Sequence, residues 1–184
     1  MYIRSYLREA SRGAGKGSLI HYLLKNGHLF PNEPLTDEEQ ALFQDMDFGQ
    51  FKLRECYYNA QTLLLNLDDS GPVKYAEGMA SNASQIPTLH AWLSVNGKVV
   101  DPTWGRFRMA PEGLLQVVRL NHIMGTLPAG WEYWGVELPS ADVAAAMVAH
   151  KASISLLDDY ECGWPLLTGS QRHPRWVAGH RVKR

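Results

Sequence analysis

A chain of 184 residues, 45% hydrophobic and 20% charged, has the size and composition of one globular domain and is too short for two full ones. Its formal net charge of -1 gives no bulk attraction to nucleic acid or to an anionic membrane, so any polyanion contact must be local. No apolar run nears the roughly 18 to 20 residues of a membrane span, and "MYIRSYLREASRG" lacks the apolar centre of a signal peptide, which predicts a cytoplasmic protein whose two cysteines, Cys56 and Cys162, are reduced thiols.

Residues 1–30 read as two short helices around the glycine-rich break "SRGAGKGS", the second over 18–26. That break is not a phosphate-binding loop: Ala10 stands where the motif needs its first glycine, and Gly17 where it needs Ser or Thr. Thr36, followed three residues later by Glu39, forms a capping box and predicts a helix over 37–46, with three acids at its positive end. In "ECYYNAQTLLLNL", Cys56, Ala60, Leu63, Leu64 and Leu67 recur at helical spacing up to the turn "DDSGP", which puts Cys56 in the first turn of a helix.

Strands are expected at 73–80, 88–95, 98–103 and 132–138, then an alanine-rich helix over 140–151. Helices first and sheet second argue for an α+β fold, with residues 1–171 as one domain carrying an N-terminal helical extension. The end, "QRHPRWVAGHRVKR", has five Arg or Lys and no acid, so residues 172–184 read as a mobile basic tail.

The chemistry concentrates in "HAWLSVNGKVVDPTW". If Asn96 and Gly97 make a two-residue turn, paired residues have numbers summing to 193, so Asp101 opposes Trp92 and Thr103 opposes His90. His90, Trp92, Asp101 and Thr103 then share one face, while Ala91, Leu93, Val95 and Val100 take the other as core. His90 and Asp101 become diagonal neighbours, roughly 7 Å apart at the backbone, within bridging reach of an imidazole and a carboxylate. A carboxylate held on one ring nitrogen leaves the other to exchange a proton with a nucleophile. Cys56 suits that part, since the positive end of a helix and a nearby imidazolium both favour its thiolate.

The segment from Cys56 to Trp104, about 50 residues, resembles the core of the transglutaminase-like superfamily of papain-fold cysteine enzymes. The marks are "CYYNAQTLLLNL", similar to the nucleophile helix with its small residue at Ala60, then "YAEGMA", then His-Ala-Trp followed by a short strand connection and Asp-Pro-Thr. The resemblance implies a papain-like α+β core in which Cys56 is the nucleophile, His90 the general base and acid, and Asp101 its orienting partner. It implies a thiol-dependent hydrolase or acyltransferase needing no metal or organic cofactor, acting on an acyl or amide group of a protein, peptide or small molecule. Proteolysis, deamidation and crosslinking stay open alternatives at this point.

Around that triad, Gln50, six residues before Cys56, is the oxyanion-donor candidate beside the Cys56 N–H, and Trp92 the substrate-wall candidate. Trp104 is expected to pack in the core. Glu77 either pairs inside the site or sits in solvent at a strand edge. Cys162 has no visible base partner. The alternative from another class is a non-catalytic protein- or nucleic-acid-binding module on the same fold, using Arg4, Arg8, Arg12 and Lys16 with Arg172, Arg175, Arg181, Lys183 and Arg184.

Overall fold

A computed structural model describes residues 2–31, 33–46, 52, 54–67, 71–82, 85–103, 107–109, 115–117 and 131–157. Helices α1 (Tyr2–Ser11) and α2 (Leu19–Asn26) lead into strand β1 (His28–Phe30) and the short helix α3 (Asp37–Ala41). Helix α4 (Cys56–Leu65) is followed by strands β2 (Val73–Asn82), β3 (Thr88–Val95), β4 (Lys98–Val100), β5 (Phe107–Met109), β6 (Leu115–Val117) and β7 (Trp131–Leu138), and then by helix α5 (Ser140–His150).

Five strands form a sheet in the order β1-β7-β2-β3-β4, and β5 pairs with β6 separately. Every pairing among the described strands is antiparallel, so helix and antiparallel sheet combine in an α+β half-barrel. The strand period divides the side chains between two faces. Tyr75, Met79, Ala91, Leu93, Val95, Val100, Trp134, Val136 and Leu138 face a large core shared with α1, α2, α4 and α5. The opposite face carries a smaller buried cluster of Phe30, Ala76, Ala80, Trp92, Val99 and Tyr133.

The hairpin forms as its Asn-Gly pair predicts. Leu93 opposes Val100, Ser94 opposes Val99 and Val95 opposes Lys98, and both turn residues have positive φ, 50° at Asn96 and 84° at Gly97. The expected strand over 98–103 stops at Val100, because Pro102 has no N–H for a ladder and Asp101 spends its side chain on its own neighbourhood, accepting from Thr103 N at 2.8 Å.

The capping box is present in both directions, with Glu39 Oε2 accepting from Thr36 N at 2.8 Å and Thr36 Oγ1 from Glu39 N at 3.3 Å. The helix it starts is shorter than the 37–46 expected. Beyond Ala41 the amides of Phe43, Gln44 and Met46 bond three residues back, a tighter winding that buries Phe43. Strands β1, β5 and β6 were not legible in the sequence: each is three residues long, too short for a period to show. Since β1 precedes α3, the order is not simply helices and then sheet.

Two long-range ties place the N-terminal helices. Glu132 on β7 accepts from Tyr2 N at 2.9 Å and Ile3 N at 3.0 Å, a carboxylate across the positive end of α1. Trp134 Nε1 donates to the Leu23 carbonyl of α2 at 2.8 Å.

Candidate active site

Cys56 is the first residue of α4, as its spacing predicts. The chain enters that helix through Arg54, whose φ of 64° is unusual for a residue with a side chain and turns the backbone sharply just before the cysteine. Asn59, one turn on and fully buried, fixes the approach: its Oδ1 accepts from Lys52 N at 3.0 Å and its Nδ2 donates to Lys52 O at 2.7 Å. The same Nδ2 donates to Thr103 Oγ1 at 2.9 Å, which ties the start of α4 to the segment after β4.

On that segment Asp101 meets His90, with Nε2 to Oδ2 at 2.6 Å, inside the molecule. A carboxylate only accepts, so Nε2 carries the hydrogen and Nδ1 is the ring nitrogen left for another partner. A hydrogen bond with Cys56 is among the interactions that act on His90. Burial pushes the His90 pKa down, but the Asp101 charge and hydrogen bond, with the hydrogen bond and charge interaction of Cys56, raise it to about 9. Cys56 is 9% and His90 3% exposed, so the sulfur and the ring are shielded from bulk water.

Asp101 is held from more than one side. Thr103 N donates to Oδ1, and Tyr133 OH donates to Oδ2 at 2.8 Å. Tyr133 lies on β7, three strand spacings from β4 in the sheet order, or about 14 Å if the sheet were flat. The half-barrel curl closes that gap, and small residues on this face make it feasible. Ala76, Gly78 and Ala80 alternate along β2, and Gly78 lies between Gly135 and His90 in the register. A Cβ on Gly135 would strike the Glu77 carbonyl oxygen and come within 2.7 Å of Trp92 Cη2, so the indole lies against the sheet where the glycine leaves room.

The structure places Asp101 and Cys56 about His90 and adds Tyr133 and Asn59, which were not expected there. Asn59 had a signal in its helical position one turn after Cys56. Tyr133 had none, because nothing local states that β7 neighbours β2. Two expectations are corrected. Trp92 is fully buried, edge-on to Phe30 at 5.1 Å and to Tyr133 at 5.2 Å between ring centres, so it supports the site from beneath and walls no open slot. Glu77 is not solvated and not in the site: it points to the helix-covered side, where Tyr75 OH, Ser155 Oγ, Leu156 N and Leu157 N donate to it at 2.6 to 3.2 Å. Burial raises its pKa, and those four donors oppose the rise.

Gln50, Trp104, Cys162 and the basic tail from Arg172 lie outside the described residues. Of the N-terminal cations, Arg4 sits over the Trp134 ring at 5.6 Å and Arg12 pairs with Glu9 at 2.8 Å. Among the described residues no group of three or more His, Cys, Asp or Glu could hold a metal ion, and no helix is long and apolar enough to cross a membrane. Comparison of the chain with protein-family models, with curated proteins and with solved structures found no match to any of them.

Proposed function

We propose that this protein is a cysteine-dependent acyl-transfer enzyme, in which Cys56 attacks an amide or other acyl carbon and forms a thioester. The observation that carries the reading is the buried imidazole with Asp101 on Nε2 and Cys56 as its other partner. Such a relay holds one ring nitrogen fixed and leaves the other to exchange a proton with sulfur and substrate. The resemblance of residues 56–104 to the transglutaminase-like superfamily, with its papain-like core, points to the same three residues.

In the first half-reaction the Cys56 thiolate adds to the carbonyl carbon, and the oxyanion is met by donors such as the Cys56 N–H at the start of α4, with Gln50 the proposed second donor. The tetrahedral adduct collapses, the bond to the leaving group breaks, and the His90 proton goes to that group as it departs. In the second, water or an amine attacks the thioester, His90 takes its proton, and the thiolate leaves. Whether the product is an acid or a new amide depends on which nucleophile reaches the thioester, so hydrolase and transferase share this machinery. The substrate is proposed only to this class: an acyl or amide group, with no metal or organic cofactor required.

Brief iodoacetamide treatment near neutral pH followed by peptide mapping tests the reading. Cys56 is expected to react much faster than Cys162, and His90→Ala is expected to slow the reaction in a protein that still folds. Equal labelling of the two thiols, or kinetics indifferent to His90→Ala, overturns it. Intact-mass spectrometry after incubation with an amide library then reads the acyl group from the mass gained, an adduct that Cys56→Ser should abolish.

A further inference from the structure

Asp101 Oδ2 is shared. It accepts from His90 Nε2 at 2.6 Å and from Tyr133 OH at 2.8 Å, while Oδ1 is taken by Thr103 N. The Tyr133 side chain is fully buried, its ring centre 6.2 Å from that of His90 and 5.2 Å from that of Trp92. A phenol facing a carboxylate can only donate. We propose that Tyr133 is a positioning residue of the Cys56–His90 site, its phenol fixing Asp101 Oδ2 against the imidazole and drawing negative charge off the oxygen that His90 faces.

This rests on the thiol reading for its consequence, though not for its geometry. Burial, then the Asp101 charge and the bond to it, raise the Tyr133 pKa well above the ordinary phenol value, so the hydroxyl remains a donor at every pH the enzyme meets. Around His90 the described residues place Asp101 after β4, Cys56 from α4 and Tyr133 from β7, with Trp92 stacked at 6.4 Å and Gly78 opposite on β2. Both Asp101 and Cys56 tighten the hold of His90 on its proton. Tyr133 works the other way, through Asp101: a carboxylate oxygen that already accepts one hydrogen bond attracts an imidazolium less strongly. A histidine that must give its proton to a leaving group and recover one from the next nucleophile needs that restraint.

Tyr133→Phe removes the hydroxyl and keeps the ring that packs on Trp92. Thr103 N still anchors Oδ1, so Asp101 keeps its seat. The expected result is an upward move of the His90 titration, followed by NMR of its ring resonances, of roughly 0.5 to 1 pH unit, or about 3- to 10-fold tighter proton binding. The alkaline limit of Cys56 alkylation should move with it. A lost structural contact alone would lower the melting temperature and leave the titration in place. An unmoved or falling His90 titration in folded Tyr133→Phe overturns the proposal. Should that variant not fold, a fluorinated tyrosine at position 133, a stronger donor of nearly the same shape, is expected to move the titration downward, and no movement there overturns it equally. The NMR reading is independent of the chemistry of Cys56, so failure of the thiol reading, seen as alkylation indifferent to His90→Ala, is distinguished from failure of the role given to Tyr133.

Discussion

Two buried carboxylates lie on opposite faces of the same sheet, and they do different work. Glu77 on β2 receives two backbone amides and two hydroxyls, none of which changes its protonation readily, and it fastens residues 155–157 to the sheet. A further link runs from Gln61 on α4, whose Nε2 donates to Tyr75 OH and to Ile154 O. Asp101 receives an imidazole that itself meets a thiol. Burial is nearly the same, 2% exposure against 1%, so burial cannot be what distinguishes a carboxylate held by fixed donors from one bonded to an imidazole. The donors distinguish them: a backbone N–H ends a network, whereas an imidazole passes a proton onward.

The sharpest way to break the comparison is Glu77→Ala. Several buried donors would lose their acceptor at about 1 to 3 kcal/mol each, part of it recovered by relaxation, so unfolding stability should fall by roughly 3 to 5 kcal/mol. Cys56 labelling per folded molecule should hardly change. A large loss of labelling rate in the folded fraction would mean that the two carboxylates are not functionally separate.

Asp101→Asn should do the reverse. The amide can present a donor where the histidine needs an acceptor, and a thiol site, whose nucleophile ionises more easily than a serine, should lose about 10- to 10³-fold in acyl transfer, with a smaller effect on stability. The same variant carries a pH signature. Because folding raises the His90 pKa from 6.5 to about 9, the stability this proton contributes is complete below about pH 6.5 and disappears as pH rises through about 9. Chemical denaturation from pH 6 to 10 should show that decline in the wild type and much less of it in Asp101→Asn; equal slopes would remove Asp101 as its origin.

Much of this site could be read from the chain because its geometry is local. A two-residue turn fixes the hairpin register, the register fixes which side chains share a face, and the helical period fixes where α4 begins, so the His90–Asp101 pair and the place of Cys56 at a helix start follow from short-range rules. What could not be read depends on pairings between distant segments. The contact of Tyr133 with Asp101 needs β7 inserted between β1 and β2, and the burial of Glu77 needs residues 155–157 returned to the sheet. Trp92 was misjudged for the same reason: the space it fills is created by Gly135, 43 positions away, and by Ala76 on a different strand.

Gly135→Ala probes the boundary between the two regions, since its Cβ would press on the Glu77 carbonyl and on the Trp92 ring. Overpacking of this kind costs about 1 to 3 kcal/mol, and here the displaced indole should disturb His90 as well, so labelling and melting temperature should fall together. A change in only one of them would sharpen which face absorbs the strain.

The smallest expected effect belongs to a third carboxylate near the surface. Glu39 receives Lys98 Nζ at 2.8 Å, Asn96 Nδ2 at 2.9 Å and Thr36 N at 2.8 Å, so it joins α3 to the hairpin tip, and these bonds lower its pKa to about 2. Its contribution is present above about pH 4.5 and lost as pH falls toward 2, and an ion pair at the edge of the fold contributes about 1 kcal/mol or less. The stability gap between wild type and Glu39→Gln should close over that interval; a constant gap would show that its charge contributes nothing.

Strand β7 has a consequence for the order in which the molecule can assemble. Phe30 and its neighbours on β1 pair with β7, and the first amides of α1 wait for Glu132. During synthesis the first 30 residues therefore emerge long before their partner strand, whereas β2, β3 and β4 can zip together as soon as residue 100 is made. Contacts of such sequence separation are slow to form, and a nascent chain holding the hairpin without β7 exposes the apolar side of α1 and α2. The hairpin alone can bring His90 to Asp101, but the phenol that shares Asp101 is supplied by β7, so the complete set of hydrogen bonds on this carboxylate requires β7 in its place between β1 and β2.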